Sequence, residues 1–127
     1  MTHKPIPKAV RQKVYEKYHG HCAYCGCELE YKDMQVDHVD SLWFNSWKKK
    51  GTIQDDSMDN LMPSCRMCNY YKGAGDIEMF RERLQNTLSN TCIDTFQARL
   101  AMKYGIIEYH PWNGKFYFEE EENDKRE

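Results

Sequence analysis

Two C-x2-C pairs, Cys22/Cys25 and Cys65/Cys68, enclose an Asp37-His38 dipeptide and Asn60, and Asn69 follows the second pair directly. Each pair can supply two corners of a tetrahedral thiolate site without straining its turn, so the four sulfurs predict a closed Zn2+ centre. A single pair would leave a redox dithiol open, whereas two pairs favour metal. The 39 residues between the pairs exceed what a simple zinc ribbon needs, so something folded must sit inside the gap. Chemistry of another kind lies there. A carboxylate and amides are ligands for hard cations, and an imidazole is a candidate general base. One staple would therefore hold a second, different site in shape. His19 and His21 are near enough to Cys22 to compete as ligands but lack paired spacing, and each reads as a surface histidine or a phosphate contact. Cys27 reads as a bystander or an alternative ligand, and Cys92 as a small buried apolar residue.

The elements that must position these groups follow from periodicity. Residues 6–18 predict a helix, with Pro7 in the first turn, Val10, Val14 and Tyr18 on one face, and Gly20 as the stop. His21 to Gly26 form a tight turn, and Gly26 is free to take positive φ. Residues 34–39 alternate as a short strand with a bend or end at Asp37-His38. Residues 40–59 make a long connection holding Trp43, Phe44, Trp47 and Lys48-Lys49-Lys50, with a second short strand around Gly51 to Ile53. Asn69 to Lys72 begin a helix interrupted by Gly73 and Gly75. Residues 76–89 predict a helix capped by Asp76 with a core stripe of Ile77, Phe80, Leu84 and Leu88. Residues 91–104 predict another, capped by Thr91, with Ile93, Phe96, Leu100 and Tyr104 as core and Gly105 as the stop. Asn113-Gly114 signals a terminal β-hairpin between Ile106–Trp112 and Lys115–Phe118, with Pro111 on an edge strand and a solvated tail from Glu119.

The chain of 127 residues is sized for one domain with a single modest core. It has nothing near the roughly 18 consecutive apolar residues of a membrane span. Its opening residues lack an apolar signal region, which predicts a reducing cytoplasmic setting where such cysteines bind metal. Net charge is −2, and its distribution is uneven: residues 1–75 carry 11 Lys/Arg against 9 Asp/Glu, and residues 76–127 carry 7 against 11. Weak overall electrostatics suit local, transient contact with nucleic acid, not coating of it.

From Val14 to Lys72 the chain resembles the HNH endonucleases, or ββα-metal nucleases, in their four-cysteine zinc-containing form. Cys22-x2-Cys25-Gly26, Val36-Asp37-His38, Asp59-Asn60-Leu61 and Cys65-x2-Cys68-Asn69-x2-Lys72 stand in that family's order. The segments Asp55–Asn60 and Cys68–Gly73 also look like the HNH domain of RNA-guided CRISPR nucleases, which lack the cysteines. Joined to the elements above, the resemblance implies an α+β fold. A zinc-stapled ββα-metal core would carry an N-terminal helix, two C-terminal helices and a terminal β-hairpin. Residues 1–75 would be the nuclease core, 76–119 an extension packed on it, and 120–127 an acidic tail.

The resemblance further implies a metal-dependent endonuclease hydrolysing DNA phosphodiester bonds, with RNA left open as a substrate. His38 would activate water, and Asp37 and Asn69 would hold Mg2+ or Mn2+. Asn69 replaces the His that many relatives carry, and its amide oxygen suits an oxygen-loving cation. Asn60 would fix the loop between the strands and orient the base. Lys72 would reach a phosphate oxygen or stay solvated. Asp40 and Asp59 are nearby carboxylates without assigned roles. Lys48, Lys49 and Lys50, with Trp43 and Trp47, would track nucleic acid or merely cover the zinc site. The C-terminal half is similar to the ends of small phage-encoded HNH proteins, which implies a bacterial or phage-infected cell. It offers Tyr109, Trp112 and Tyr117 as a protein-partner surface.

Two other readings compete. A zinc deaminase uses H-x-E with P-C-x2-C; here Asp40 replaces the Glu, Ser64 separates Pro63 from Cys65, and Cys22/Cys25 would serve nothing. A non-catalytic zinc-stapled module binding nucleic acid or protein, such as a phage-encoded inhibitor, is the stronger rival, although a pure binder needs no full set of Asp37, His38, Asn60 and Asn69.

Overall fold

The computed structural model of the chain describes residues 6–39 and 57–126. Asp40, the Trp43–Lys50 cluster and the strand expected near Gly51 to Ile53 lie outside the described residues. Helix α1 (Lys8–Lys17) starts at Pro7, whose carbonyl accepts from Arg11 N–H at 2.9 Å. Its buried face carries Val14, joined by Met34 and Leu61 in a small apolar cluster against which Val10 packs. Arg11 ties the helix to the next element by donating to the carbonyls of Tyr31 and Met34 at 2.8 and 2.9 Å. Positive φ at His19 and Gly20 ends the helix and turns the chain into the first cysteine pair.

Strands β1 (Gln35–His38) and β2 (Leu61–Ser64) form an antiparallel pair with Asp37 opposite Met62 and His38 opposite Leu61. β2 is a finding that periodicity did not supply. All four of its residues are buried, so it has no alternation to read, and Pro63 interrupts it. The proline is tolerated because its carbonyl faces Ala23 N–H at 2.8 Å, so its nitrogen also faces away from β1 and the ladder needs no donor there. Helix α2 (Arg66–Lys72) follows at once, beginning earlier than Asn69, with Cys65 at its N-cap and Gly73 ending it at φ +62°.

The segment beyond Gly75 departs further from expectation. α3 (Ile77–Glu82) begins at Asp76, whose carboxylate accepts from Met79 N–H at 2.9 Å, and it buries Phe80. A π-helical turn (Arg83–Leu88) and α4 (Ser89–Ile93) continue it, so Thr91 lies inside helix and caps nothing. Thr95 caps α5 (Phe96–Lys103) instead, accepting from Ala98 N–H at 3.1 Å. The stripe expected in the core is outside it: Phe96, Leu100 and Tyr104 are 68%, 43% and 76% exposed. Cys92, expected buried, is exposed.

No hairpin forms around Asn113-Gly114. Gly114 does take positive φ, and Asn113 Oδ1 accepts from Lys115 N–H, so the turn itself is made. Its flanks find other partners. Phe116 enters the core against Tyr24 and Phe80, while Tyr117 and Phe118 N–H donate to the carbonyls of Tyr24 and Ala23 at 3.1 and 2.8 Å. The acidic run then becomes helix α6 (Tyr117–Arg126), where Glu119 reaches back to Phe116 N–H at 2.9 Å and the acids favour a helix N-terminus. Trp112 packs on Phe116 and Tyr117 stacks on His21, so two of three side chains expected at a partner surface are used internally. The α+β class stands, with a two-stranded sheet flanked by helices.

Arg81 locks the α6 start to α3 through two bonds to Glu119 at 2.8 and 2.7 Å, besides reaching Glu78 and the Gly114 carbonyl. The hydrogen bonds from Arg81 hold the Glu119 carboxyl below its ordinary range. Its stabilising contribution is therefore full above the unfolded carboxyl pKa, about 4.3, and disappears as pH falls through the lower folded value. Glu119→Gln should cost about 1 kcal/mol at pH 7. Thermal melts should also show a shallower loss of stability for the variant than for wild type below that carboxyl range.

Candidate metal centres and active site

The turn Cys22–Cys25 and the start of α2 bring four sulfurs together: those of Cys22, Cys25, Cys65 and Cys68 all lie within 4.8 Å of one another. Local structure explains the convergence. Gly26, at φ +83°, lets its N–H return to the Cys22 carbonyl at 2.9 Å, and a Cβ there would sit 2.7 Å from the Tyr117 ring. At the other pair, Cys68 N–H points at Cys65 Sγ, 3.4 Å away. Hydrogen bonds from Cys25 and Cys68 pull the Cys22 thiol well below its ordinary value, while the one with Cys22 pushes Cys25 up to about 12. Cys68 is driven up in the same way. Sulfurs this close resist losing their protons together unless a cation sits among them, and an all-sulfur set fits tetrahedral Zn2+. Neither Cys27 nor either nearby histidine joins the four.

The second constellation sits at the end of β1. Asp37 is buried, and its Oδ2 accepts from Tyr24 Oη at 2.5 Å and faces Lys72 Nζ at 3.1 Å. Burial, then the Asp37 charge, raises the Tyr24 hydroxyl pKa, so it stays a proton donor throughout the neutral range. His38 is half-buried beside it. Asn60 is buried; its N–H donates to the Ser57 carbonyl and its own carbonyl accepts from Val39 N–H, both at 2.9 Å, joining the strand ends. Asn69 is half-buried on α2, one helical step of three before Lys72 and hence on the face that meets β1. A carboxylate and an amide oxygen on facing elements suit a hard divalent cation.

Residues 22–75 match the family model described as HNH endonuclease. That segment is an HNH domain. The structure of the Type II-C Cas9 enzyme from Actinomyces naeslundii is similar, with 23% identity and a TM-score of 0.50 over 65% of this chain. The chain spans 9% of that enzyme's length, and a likeness this distant shows the fold alone. No curated protein matches the sequence significantly. Among the described residues no helix is long and apolar enough to cross a membrane.

Within the HNH domain one expectation is corrected. Lys72 is not a phosphate contact: it is 1% exposed, and its ammonium is spent on the His38 carbonyl at 2.8 Å, the Gly75 carbonyl at 3.0 Å and Asp37. Two hydrogen bonds and a carboxylate ion pair thus occupy the ammonium away from solvent. Asp59 is exposed, and Lys48, Lys49 and Lys50 lie outside the described residues.

Sequence reasoning missed Tyr24, whose only signal was a large ring inside a C-x2-C turn. It also passed over Met67 and Tyr70, 83% and 87% exposed on the helix that carries Asn69. A cleft of about 650 Å³ opens between the cysteine turns and the C-terminal segment, lined by Phe80, Trp112 and Phe116, but Asp37, His38 and Asn69 do not line it.

The purified protein should contain stoichiometric zinc by elemental mass spectrometry. Cys68→Ser should lower that content and the melting temperature together, because the metal is part of the fold.

Proposed function

We propose that the HNH domain is a metal-dependent endonuclease that hydrolyses phosphodiester bonds in DNA. The observation that supports this reading is the link made by Lys72 between β1, which carries Asp37 and His38, and α2, which carries Asn69. In this reading residues 1–75 do the chemistry and the segment from Asp76 onward braces them, through Phe80 and Phe116 packed on Tyr24.

His38 removes a proton from a water molecule as it attacks the scissile phosphorus in line with the departing 3′ oxygen. The strand end that carries it is fixed, because the His38 carbonyl is anchored by Lys72 and the neighbouring turn is closed by Asn60. Asp37 and Asn69 would hold Mg2+ or Mn2+, which when bound neutralises charge building on the phosphate and the departing oxygen. Asn60 positions and does not react. The products are a 5′-phosphate and a 3′-hydroxyl.

Plasmid nicking by the purified protein should require Mg2+ or Mn2+, and His38→Ala should slow it by about 10²- to 10⁴-fold with zinc content unchanged. Nicking by His38→Ala at the wild-type rate would remove the base from the mechanism and favour a binding role for the domain. We further assign Lys48, Lys49 and Lys50 to the phosphate backbone. Replacing all three by Ala should flatten the salt dependence of DNA affinity, each lost contact removing about 0.9 from the log–log slope on duplex DNA.

A further inference from the structure

Tyr24 stands between two zinc-site cysteines in sequence, yet its hydroxyl ends at the other site. The hydroxyl donates to Asp37 Oδ2 at 2.5 Å, and the residue is 3% exposed. The ring cannot swing away. Phe80, Phe116 and Phe118 meet it edge-on at centroid distances of 5.5, 5.7 and 6.2 Å. The backbone is held equally: the Tyr24 carbonyl accepts from Tyr117 N–H at 3.1 Å, and the adjacent Ala23 N–H donates to the Pro63 carbonyl on β2 at 2.8 Å.

On Asp37 a hydrogen bond and an ion pair converge. Lys72 Nζ approaches the same Oδ2 at 3.1 Å from the opposite element, and its remaining bonds to His38 and Gly75 fix where that ammonium stands. Among the described residues no hydrogen bond is made to Oδ1 by Tyr24 or Lys72. A carboxylate turns about its Cβ–Cγ bond with little hindrance, and a hydrogen bond and an ion pair on one oxygen stop that rotation.

We propose that Tyr24 is a positioning residue of the divalent-cation site. It locks the Asp37 carboxylate with Oδ1 presented to the cation, and it makes the grip of that site depend on the zinc-held turn from which Tyr24 projects. This rests on the reading that Asp37 ligates the cation. Removing the hydroxyl leaves the ring packing and all four sulfurs in place, so Tyr24→Phe separates orientation of Asp37 from formation of the fold.

The test uses the full zinc-loaded chain and Mn2+ as the probe, followed by electron paramagnetic resonance as free Mn2+ disappears. Tyr24→Phe should weaken Mn2+ binding by about 10- to 100-fold, the usual effect of losing a partner of a ligating carboxylate, with zinc content unchanged. Plasmid cleavage across a Mn2+ series gives the second measurement. A slow variant whose rate recovers in excess Mn2+ supports the positioning role. A variant that binds Mn2+ as wild type does, or whose rate is depressed equally at every Mn2+ concentration, overturns it. If wild type fails to bind Mn2+, or Asp37→Asn binds it equally well, the assignment of Asp37 as a ligand falls and takes the role of Tyr24 with it.

Discussion

Four sulfurs drawn from turns far apart in the sequence set the geometry of everything around them. Bringing the two pairs together closes a loop of some forty residues, whose entropy cost a small core cannot easily offset alone. The main apolar cluster is built on the same spot: Cys22 is one of its members, Cys65 and Cys68 pack against it, and Tyr18, Ala23, Tyr24, Met62, Phe80 and Phe116 complete it. Metal binding and apolar burial are thus one event here, not two. The C-terminal segment belongs to that event as well, because it places Phe116 in the cluster and pairs its backbone with the first cysteine turn.

A buried charge links this scaffold to the candidate chemistry. An ammonium held at 1% exposure is expensive unless its partners repay the lost hydration, and Lys72 has a carboxylate and two carbonyls. The arrangement specifies position more than it adds stability. It fixes α2 against the end of β1, and so fixes Asn69 relative to Asp37 and His38. Tyr24 completes the link from the opposite side, running from the sulfur-held turn to the same carboxylate oxygen. Disturbing either end should therefore be felt at the other.

The sulfur cluster was legible because cysteine pairing is a local motif whose chemistry depends on residue type, and Asp37-His38 and the two asparagines stand as candidates on the same ground. The fold was legible where one periodic face met one core, as in α1 and α3. It failed where tertiary partners outvoted local preference. Phe116 went to the core and Tyr117 to the cysteine turn, so a sound hairpin turn at Asn113-Gly114 connects no strands. A strand buried on every residue, such as β2, carries no alternation to detect. Lys72 looked like a solvated or phosphate-seeking lysine because nothing in its neighbours reveals that Asp37 and two carbonyls surround it. The exposed stripe of Phe96, Leu100 and Tyr104 has the same periodicity as a core stripe, and only packing tells them apart.

X-ray absorption at the zinc edge tests the central constraint most directly. The account predicts a first shell of four sulfurs at about 2.3 Å and no nitrogen or oxygen ligand. A shell containing imidazole nitrogen, or fewer than four sulfurs, would contradict it.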